Sequence, residues 1–382
     1  MSFTAMRIIE RVITTADAGH PADRLLKEEL KAVKSLSARE TTEISRTVFA
    51  YYRWFGWLDA GDSLRTKLGR AQDLDARFRQ DPHSFPEAEL IERAVPEWIA
   101  AETRVTANWA RALQSEPAVW LRAKSGRTEE VTMALGDCRP LGIGLLANAL
   151  EYMGGDDLFR TSLFHAGSFE IQDVNSQLVG LVCAPKPGDT WWDACAGEGG
   201  KLLHLSNLME NKGLIWASDR AEWRLKQLKR RAARAGVFNY RAVTWDGGSK
   251  RPTRTKFDGL LVDAPCSGVG TWQRNPHARW TLKPQDVSEL AVLQASILNH
   301  AAPAVKPGGK LVYAVCTLTR SETIKVADDF SKAHPRFKAL PVKNPVSGKL
   351  YANGQCILDP SENRGNGMFV AAWTLDLEPV EV

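Results

Sequence analysis

From residue 165 onwards, short apolar runs alternate with longer segments in which apolar residues recur every three or four positions. This alternation is typical of a parallel β-sheet covered by helices. The expected helices span residues 200–210, 221–235, 285–304 and 321–333. The expected strands are DTWWDACAG, GLIWASD, YRAVTWD, FDGLLVDAPC and GKLVYAVCT, with FKALPV and GMFVAAWTLD closing the sheet. The pattern predicts a doubly wound, Rossmann-like α/β fold for this part of the chain.

The first 76 residues carry a helical pattern, seen in AMRIIERVITT, PADRLLKEELKAV and SARETTEISRTVFAYYRWFGWLDA. Ser37, followed by Glu40, fits a capped helix start. Residues 77–90 are polar and are expected to form a linker, whereas residues 91–165 mix helix-like and strand-like pieces. A chain of 382 residues is long enough for two or three domains. We expect a helical domain over 1–76, a linker and subdomain over 77–165, and the main α/β domain over 166–382.

Composition excludes several classes of protein. With 44% hydrophobic and 25% charged residues, the chain is not expected to be disordered. No apolar run approaches the roughly 20 residues of a membrane span, and the first twenty residues lack the apolar core of a signal peptide, so we expect a cytoplasmic protein. The six cysteines form no CxxC pair and have no His at zinc-ligand spacing, so we expect free thiols and no metal.

Positive charge is concentrated in residues 220–256. Twelve Lys or Arg residues against Glu222 and Asp246 give this segment +10, although the whole chain carries only +5. Such a run is either a solvated helix face or a contact surface for a polyanion such as RNA.

A Gly-rich turn, WWDACAGEGGKLLHL, follows the first expected strand and opens a helix. Glycines let the backbone approach a ligand, and a helix N-terminus presents free N–H groups. The turn matches neither GxGxxG nor GxxxxGK[ST], so a dinucleotide or P-loop site is poorly supported. The next two strands end in Asp219 and Asp246, which are placed for a ribose diol and an adenine amino group. Each Asp alone fits a turn equally well, but together with the turn they favour S-adenosylmethionine.

Cys266 and Cys316 each end an expected strand at the same edge of the sheet as the Gly-rich turn. An arbitrary cysteine is most often a packing residue, yet a thiolate at a ligand edge can act as a nucleophile. Carbon 5 of a pyrimidine is too unreactive to accept a methyl group directly. Addition of a thiolate to carbon 6 makes carbon 5 nucleophilic, and Asp263 could hydrogen-bond the N3 edge of the ring.

These motifs resemble those of the Sun/Fmu/Nop family of RNA cytosine-C5 methyltransferases, most of all its bacterial RsmB-like rRNA branch. DACAGEGGK is similar to the family's DxCAAPGGK, DAPCSGVGTWQRNPHARW to its DAPCSG with an RxxP…W tail, and YAVCT to its Y[AS]TCS. The helical start, including RTVFAYYRWFGWLD, resembles a NusB-like RNA-binding domain in shortened form.

The resemblance implies a class I methyltransferase sheet that binds S-adenosylmethionine, preceded by a helical NusB-like domain. It implies that Cys316 is the nucleophile and that Cys266 assists breakdown of the covalent adduct. It also implies a donor site formed by Cys195, Ala196, Gly197, Glu198, Gly199, Gly200, Lys201, Asp219, Asp246 and Asp263. Two positions depart from the family pattern, since AAP becomes AGE at Glu198 and TC becomes VC at Val315. Neither change removes a group that the mechanism requires.

The expected substrate is RNA, with small-subunit rRNA ahead of tRNA, and the expected assembly is a monomer. The basic segment 220–256, Arg274, Arg279 and Trp272 could contact phosphates or stack on bases, although Trp272 and Trp280, each taken alone, are more often packing residues. A ribosome-assembly factor that binds donor and RNA without catalysis is the main alternative. A Rossmann oxidoreductase should carry GxGxxG, and an amino-group methyltransferase should carry [DN]PP[YFW] where this chain has DAPC.

Overall fold

The computed structural model describes residues 2–142, 144–344 and 346–377. They divide into two compact units. The first, here called the helical unit, runs to Pro117 and also includes Gly268–Asp286. The second, here called the sheet unit, comprises Ala118–Ser267 and the chain from Val287 onwards.

The helices of the described residues are named in chain order. They are α1 (Phe3–Thr15), α2 (Ala22–Ala32), α3 (Ala38–Arg53), α4 (Leu64–Gln80), α5 (Glu87–Arg93), α6 (Ala107–Gln114), α7 (Thr128–Leu135), α8 (Ser162–His165), α9 (Val174–Cys183), α10 (Gly200–Leu208), α11 (Glu222–Ala235), α12 (Ala278–Thr281), α13 (Pro284–Ala301), α14 (Ile324–Ala333) and α15 (Pro360–Asn363).

The strands of the described residues are named in the same way. They are β1 (Val119–Ala123), β2 (Cys138–Pro140), β3 (Ala149–Tyr152), β4 (Phe169–Ile171), β5 (Thr190–Asp193), β6 (Leu214–Asp219), β7 (Tyr240–Thr244), β8 (Phe257–Asp263), β9 (Val305–Val315), β10 (Phe337–Ala339), β11 (Val342–Lys343), β12 (Leu350–Tyr351), β13 (Gln355–Leu358) and β14 (Met368–Leu375).

Amphipathic helices α1 to α4 build the core of the helical unit. Ile9, Val48 and Leu68 are buried there with the apolar faces of their neighbours. The start of α3 is a capping box, because the Ser37 hydroxyl accepts the Glu40 N–H and the Glu40 carboxylate accepts the Ser37 N–H. The expected helical N-terminal region is confirmed.

The polar segment 77–90 is not the linker expected from the sequence. Helix α4 continues to Gln80, and α5 begins at Glu87 after a single 3₁₀ turn. Phe78 and Phe85 are both buried and pack against each other in the helical unit. The buried apolar residues among the charged ones therefore extend the helical unit past residue 76. The boundary between the two compact units follows Pro117, whereas the sequence had suggested boundaries at residues 76 and 165.

Residues 268–286 belong to the helical unit, although the sequence placed them in the α/β domain. Arg279 is fully buried and donates to the carbonyl oxygens of Ala94 at 2.7 Å and Leu113 at 3.0 Å. Trp272 is fully buried and stacks on Trp109. These contacts make the segment part of the unit's core.

The main sheet has the strand order β10–β14–β9–β8–β5–β6–β7, and β13 pairs with β14. Strands β5 to β9 run parallel, whereas β14 lies antiparallel to β9 and β10 antiparallel to β14. Trp191 and Trp192 are adjacent in β5 and buried in different hydrophobic clusters, as expected of a sheet with both faces covered. The predicted Rossmann-like α/β class is confirmed.

A smaller antiparallel sheet of order β2–β3–β1–β4 precedes the main sheet, with its own apolar core. The segment PAVWLRAK supplies β1, and TEEVTMALGD supplies α7. Across the described ranges, no helix is both long and apolar enough to cross a membrane. Within those ranges, no group of three or more His, Cys, Asp or Glu side chains could hold a metal ion.

Candidate active site

Two thiols meet at the carboxyl edge of the main sheet. Strands β8 and β9 are parallel neighbours, with Asp263 opposite Ala314 at their ends. Cys316 follows β9 directly, and Cys266 lies three residues beyond the end of β8. The two Sγ atoms are 3.3 Å apart, and both side chains are half-buried. The expectation that these cysteines share one edge of the sheet agrees with this geometry.

A lysine and an aspartate from neighbouring elements form an ion pair at the same edge. Lys201, in the first turn of α10, places its Nζ 2.6 Å from Oδ2 of Asp263 at the end of β8. Burial alone would lower the pKa of the Lys201 ammonium, but attraction to the Asp263 carboxylate outweighs it and the pKa is raised. The negative charge of a Cys316 thiolate acts in the same direction on this pKa. Lys201 therefore stays positively charged at this edge of the sheet.

The Gly-rich turn between β5 and α10 depends on two glycines with positive φ. Gly197 has φ 54° and Gly199 has φ 87°, in the left-handed region that other residues avoid. A Cβ at position 199 would lie 2.8 Å from Cγ of Leu228. Only glycine fits this position without displacing the Leu228 side chain of α11.

Asp219, at the end of β6, is bound to the turn. Its Oδ2 accepts the Gly197 N–H at 3.0 Å, and its Oδ1 accepts the Ala221 N–H at 2.8 Å. The Arg224 guanidinium lies 3.7 Å away. The predicted donor residues from Cys195 to Lys201 and Asp219 are thus brought together.

Asp246 and Glu198 occupy more open positions. Asp246 follows β7, is exposed, and accepts the Gly248 N–H at 2.8 Å in a local turn. Glu198 is exposed, and its carbonyl oxygen accepts a hydrogen bond from Arg231. The departure from the family pattern at Glu198 therefore places a carboxylate in solvent.

Asp193 and Cys195 flank Ala194 where β5 enters the turn. Burial raises the pKa of Asp193 to about 8, with a further contribution from the Asp263 carboxylate. Burial also raises the pKa of the Cys195 thiol, and the carboxylates of Asp193 and Asp263 add to this. Cys195 is therefore a poor candidate for a thiolate. Sequence reasoning missed Asp193, although it is the last residue of an apolar strand before the turn.

Part of the basic segment 220–256 has a structural role. Arg231 and Arg234 both pair with the carboxylate of the buried residue Glu170. The basic residues of the segment that are exposed are Arg220, Arg224, Lys226, Lys229, Arg230, Arg241, Lys250, Arg254 and Lys256. The solvated face and the polyanion surface therefore remain the two interpretations of these exposed residues.

Two of the three single residues suggested for RNA contacts are structural. Arg279 and Trp272 are fully buried within the helical unit. Trp280 donates its Nε1–H to the Tyr52 carbonyl oxygen at 2.7 Å and packs against the same unit's core. The suggestion that Arg279 and Trp272 contact phosphate or stack on bases is wrong because both are buried in the core. The contacts of Trp280 agree with the packing role favoured for it. Arg274 is exposed.

Comparison with known proteins gives consistent similarities. Residues 180–374 match the family described as 16S rRNA methyltransferase RsmB/F. The chain is 32% identical over 307 residues to the "probable ribosomal RNA small subunit methyltransferase B" of Synechocystis sp., covering 76% of this chain and 67% of that protein. It is 40% identical over 196 residues to the protein of the same name from Bacillus subtilis, covering 51% of this chain and 44% of that protein.

Among solved structures, the crystal structure of PH0851 has a TM-score of 0.80 and 25% sequence identity, covering 98% of this chain and 99% of that one. The match to the B. subtilis protein spans less than half of that relative's length.

Proposed function

This chain belongs to the 16S rRNA methyltransferase RsmB/F family, and we propose that it transfers a methyl group from S-adenosylmethionine to carbon 5 of a cytosine in RNA. The observation that carries the proposal is the pair of sulfurs 3.3 Å apart at the sheet edge. Small-subunit rRNA is the proposed substrate, and the chain is proposed to act as a cytoplasmic monomer.

Cys316 is the proposed nucleophile. Its thiolate adds to carbon 6 of the cytosine, forming a C–S bond while the electron pair of the 5,6 double bond moves so that carbon 5 becomes nucleophilic. The Lys201 ammonium favours this thiolate electrostatically. Covalent addition thus replaces one difficult step by two easier ones.

Asp263 is the proposed contact for the Watson–Crick edge of the flipped base. Its carboxylate already accepts from Lys201 through Oδ2. The other carboxylate oxygen, Oδ1, is proposed to accept a hydrogen bond from the exocyclic amino group of cytosine or from a protonated N3. Uracil has a carbonyl oxygen where cytosine has its amino group, so it cannot donate this hydrogen bond to Asp263. The contact therefore favours cytosine over uracil.

The donor site fits S-adenosylmethionine. The Gly197–Gly199 turn exposes backbone without side-chain bulk, and Asp219 holds a carboxylate at the end of β6. We assign the donor contacts to the turn from Cys195 to Lys201 and to Asp219, with Asp246 as an outer contact. The donor supplies a methyl group on a positively charged sulfur, which is electrophilic enough for an activated carbon 5.

Cys266 is proposed to act at release. After methyl transfer, the proton on carbon 5 must leave, and its electron pair restores the double bond as the C–S bond to Cys316 breaks. Cys266 lies next to that bond because its sulfur is within 3.3 Å of Cys316 Sγ. We propose that Cys266, as a thiolate, accepts this proton, while Cys316 leaves as a thiolate.

RNA contacts are proposed for two surfaces. The exposed Lys and Arg residues of α11 and the following segment carry the charge to bind phosphates. The helical unit is proposed to bind RNA in the manner of a NusB-like domain. Extrusion of the target base costs a few kcal/mol and costs least where the cytosine is unpaired.

The function is tested with tritiated S-adenosylmethionine and purified RNA. Wild-type protein should label small-subunit rRNA from cells that lack it, and bisulfite sequencing should then identify one protected cytosine. Cys316→Ala should abolish transfer, and Cys266→Ala should accumulate a protein–RNA adduct that survives denaturing gels. Cys138→Ala removes a thiol of the small sheet and serves as the matched control.

Other outcomes separate the alternatives. Labelling of tRNA in preference to rRNA would change the substrate and keep the chemistry. An adduct in Cys316→Ala, and none in Cys266→Ala, would exchange the roles of the two thiols. Donor and RNA binding without transfer by the wild type would favour a non-catalytic assembly factor.

A further inference from the structure

A buried carboxylate is hydrogen-bonded to the residues that follow the two thiols in sequence. Glu322 precedes α14 by two residues and is fully buried in the sheet unit. Its side chain accepts five hydrogen bonds, from Ser267 N–H, Ser267 Oγ, Thr317 Oγ1, Thr319 Oγ1 and Gln294 Nε2. No Lys or Arg is among these donors, which are all neutral.

These bonds converge from both segments that carry the thiols. On the β8 side, Glu322 Oε1 accepts the Ser267 N–H at 2.8 Å, directly after Cys266. On the β9 side, Glu322 Oε2 accepts from Thr317 at 3.1 Å, directly after Cys316, and from Thr319 at 2.7 Å. One side chain therefore holds the residue following each thiol.

Gln294 of α13 reinforces the same connection. Its Nε2 donates to Glu322 Oε1 at 2.9 Å and to the Pro265 carbonyl oxygen at 2.9 Å. Cys266 is thus fixed on both sides, through Pro265 and through Ser267. Ser267 Oγ also lies 2.8 Å from Thr317 Oγ1, which joins the two segments directly.

We propose that Glu322 is a positioning residue that holds the Cys266 and Cys316 segments together, so that both sulfurs reach the same pyrimidine ring. This deepens the proposed function and rests on it for its catalytic consequence. The positioning itself is a property of the protein alone. A buried carboxylate with five neutral donors is a strong anchor, because removing it leaves several buried polar groups without a partner.

The first test measures sulfur–sulfur proximity without RNA or donor. Diamide accepts the two electrons and two protons that Cys266 and Cys316 lose on forming a disulfide, and peptide mapping identifies that bond. Wild-type protein should form it quickly, since the sulfurs are 3.3 Å apart. Glu322→Ala should slow this reaction at least tenfold, and Glu322→Gln, whose amide can accept the N–H donors and donate to the hydroxyls, should remain within threefold of wild type.

Glu362→Ala, an exposed glutamate of α15 in the same unit, is the matched control and should change the rate less than twofold. A rate in Glu322→Ala within twofold of wild type overturns the inference. If Glu322→Ala does not fold, the double variant Ser267→Ala, Thr319→Val removes two hydroxyl donors and should slow the reaction at least fivefold. A wild-type rate in that double variant would then overturn it.

The second test uses methyl transfer. Glu322→Ala should lower kcat at least a hundredfold while KM for RNA and donor changes less than threefold, and Glu322→Gln should restore most of kcat. A loss expressed mainly in KM would contradict positioning of the thiols. Should the wild type transfer no methyl group to any RNA, the proposed function fails, whereas the disulfide rates still decide the inference about Glu322.

Discussion

Replacement of Asp193 by Asn should stabilise the sheet unit, and increasingly so as the pH rises. In the folded chain the Asp193 carboxyl keeps its proton up to about pH 8, whereas its ordinary pKa is 3.8. The folded state therefore binds more protons than the unfolded state between these values, and stability falls as the pH rises through that window. Asparagine is isosteric with the protonated acid and cannot ionise, so it removes this dependence.

The magnitude follows from the linkage of protons to folding. If one proton is bound only in the folded state, the free energy of unfolding falls by about 1.4 kcal/mol for each unit by which the pH rises. Across roughly two pH units inside the window, the advantage of Asp193→Asn should grow by about 1–3 kcal/mol, the lower figure allowing for water that reaches the carboxyl group.

The assay is urea unfolding of the whole protein without donor, at several pH values between roughly 5.5 and 7.5, which lie within the window. Ser206→Ala is the control, because Ser206 is buried in α10 of the same unit and does not titrate. Its effect on the free energy of unfolding should be the same at each pH. A difference between Asp193→Asn and wild type that stays constant across this range would refute the reasoning.

Two substitutions elsewhere have matched controls in neighbouring residues. Gly199→Ala should destabilise the chain by about 2–3 kcal/mol and weaken donor binding, measured by thermal unfolding and calorimetry, because φ is 87° and the Cβ would meet Leu228. Gly200→Ala, where a Cβ meets nothing within 4 Å, should leave stability unchanged, and equal losses in both would contradict the steric argument. Arg279→Met should cost about 3–5 kcal/mol in urea unfolding, since it leaves buried carbonyl groups without a donor. Exposed Arg274→Met should cost less than about 0.5 kcal/mol, and similar costs for the two would show that Arg279 is not structural.

The sequence predicted the main sheet well because its strands are short apolar runs that end in polar residues. Trp191 and Trp192 in β5, and Leu260 to Val262 in β8, are buried neighbours in sequence, as expected of strands whose two faces are both covered. The meeting of Cys266 and Cys316 was predictable for a related reason, since parallel strands end at one edge. Their separation of 3.3 Å was not, because it is a distance between two side chains, which the positions of the strand ends alone do not set.

The remaining differences arise from contacts between residues distant in sequence. Arg279 reads as a phosphate contact in a sequence, and only the carbonyl groups of Ala94 and Leu113 identify it as a core residue. Glu322 reads as an ordinary acid near a helix start, and the role proposed for it depends on hydrogen bonds from Ser267, Thr317 and Thr319, in the segments that follow β8 and β9. Local patterns report propensity and periodicity, whereas these roles are set by tertiary neighbours.

After Ser267 the chain leaves the sheet unit, forms part of the helical unit over Gly268–Asp286, and then returns to the sheet unit. The backbone therefore passes from one unit to the other three times, at 117/118, 267/268 and 286/287. No single cut of the polypeptide yields both units whole. If the first 117 residues were removed or replaced, residues 268–286 would lose the partners of their own compact unit, so the helical unit cannot be exchanged independently of the loop that follows Cys266.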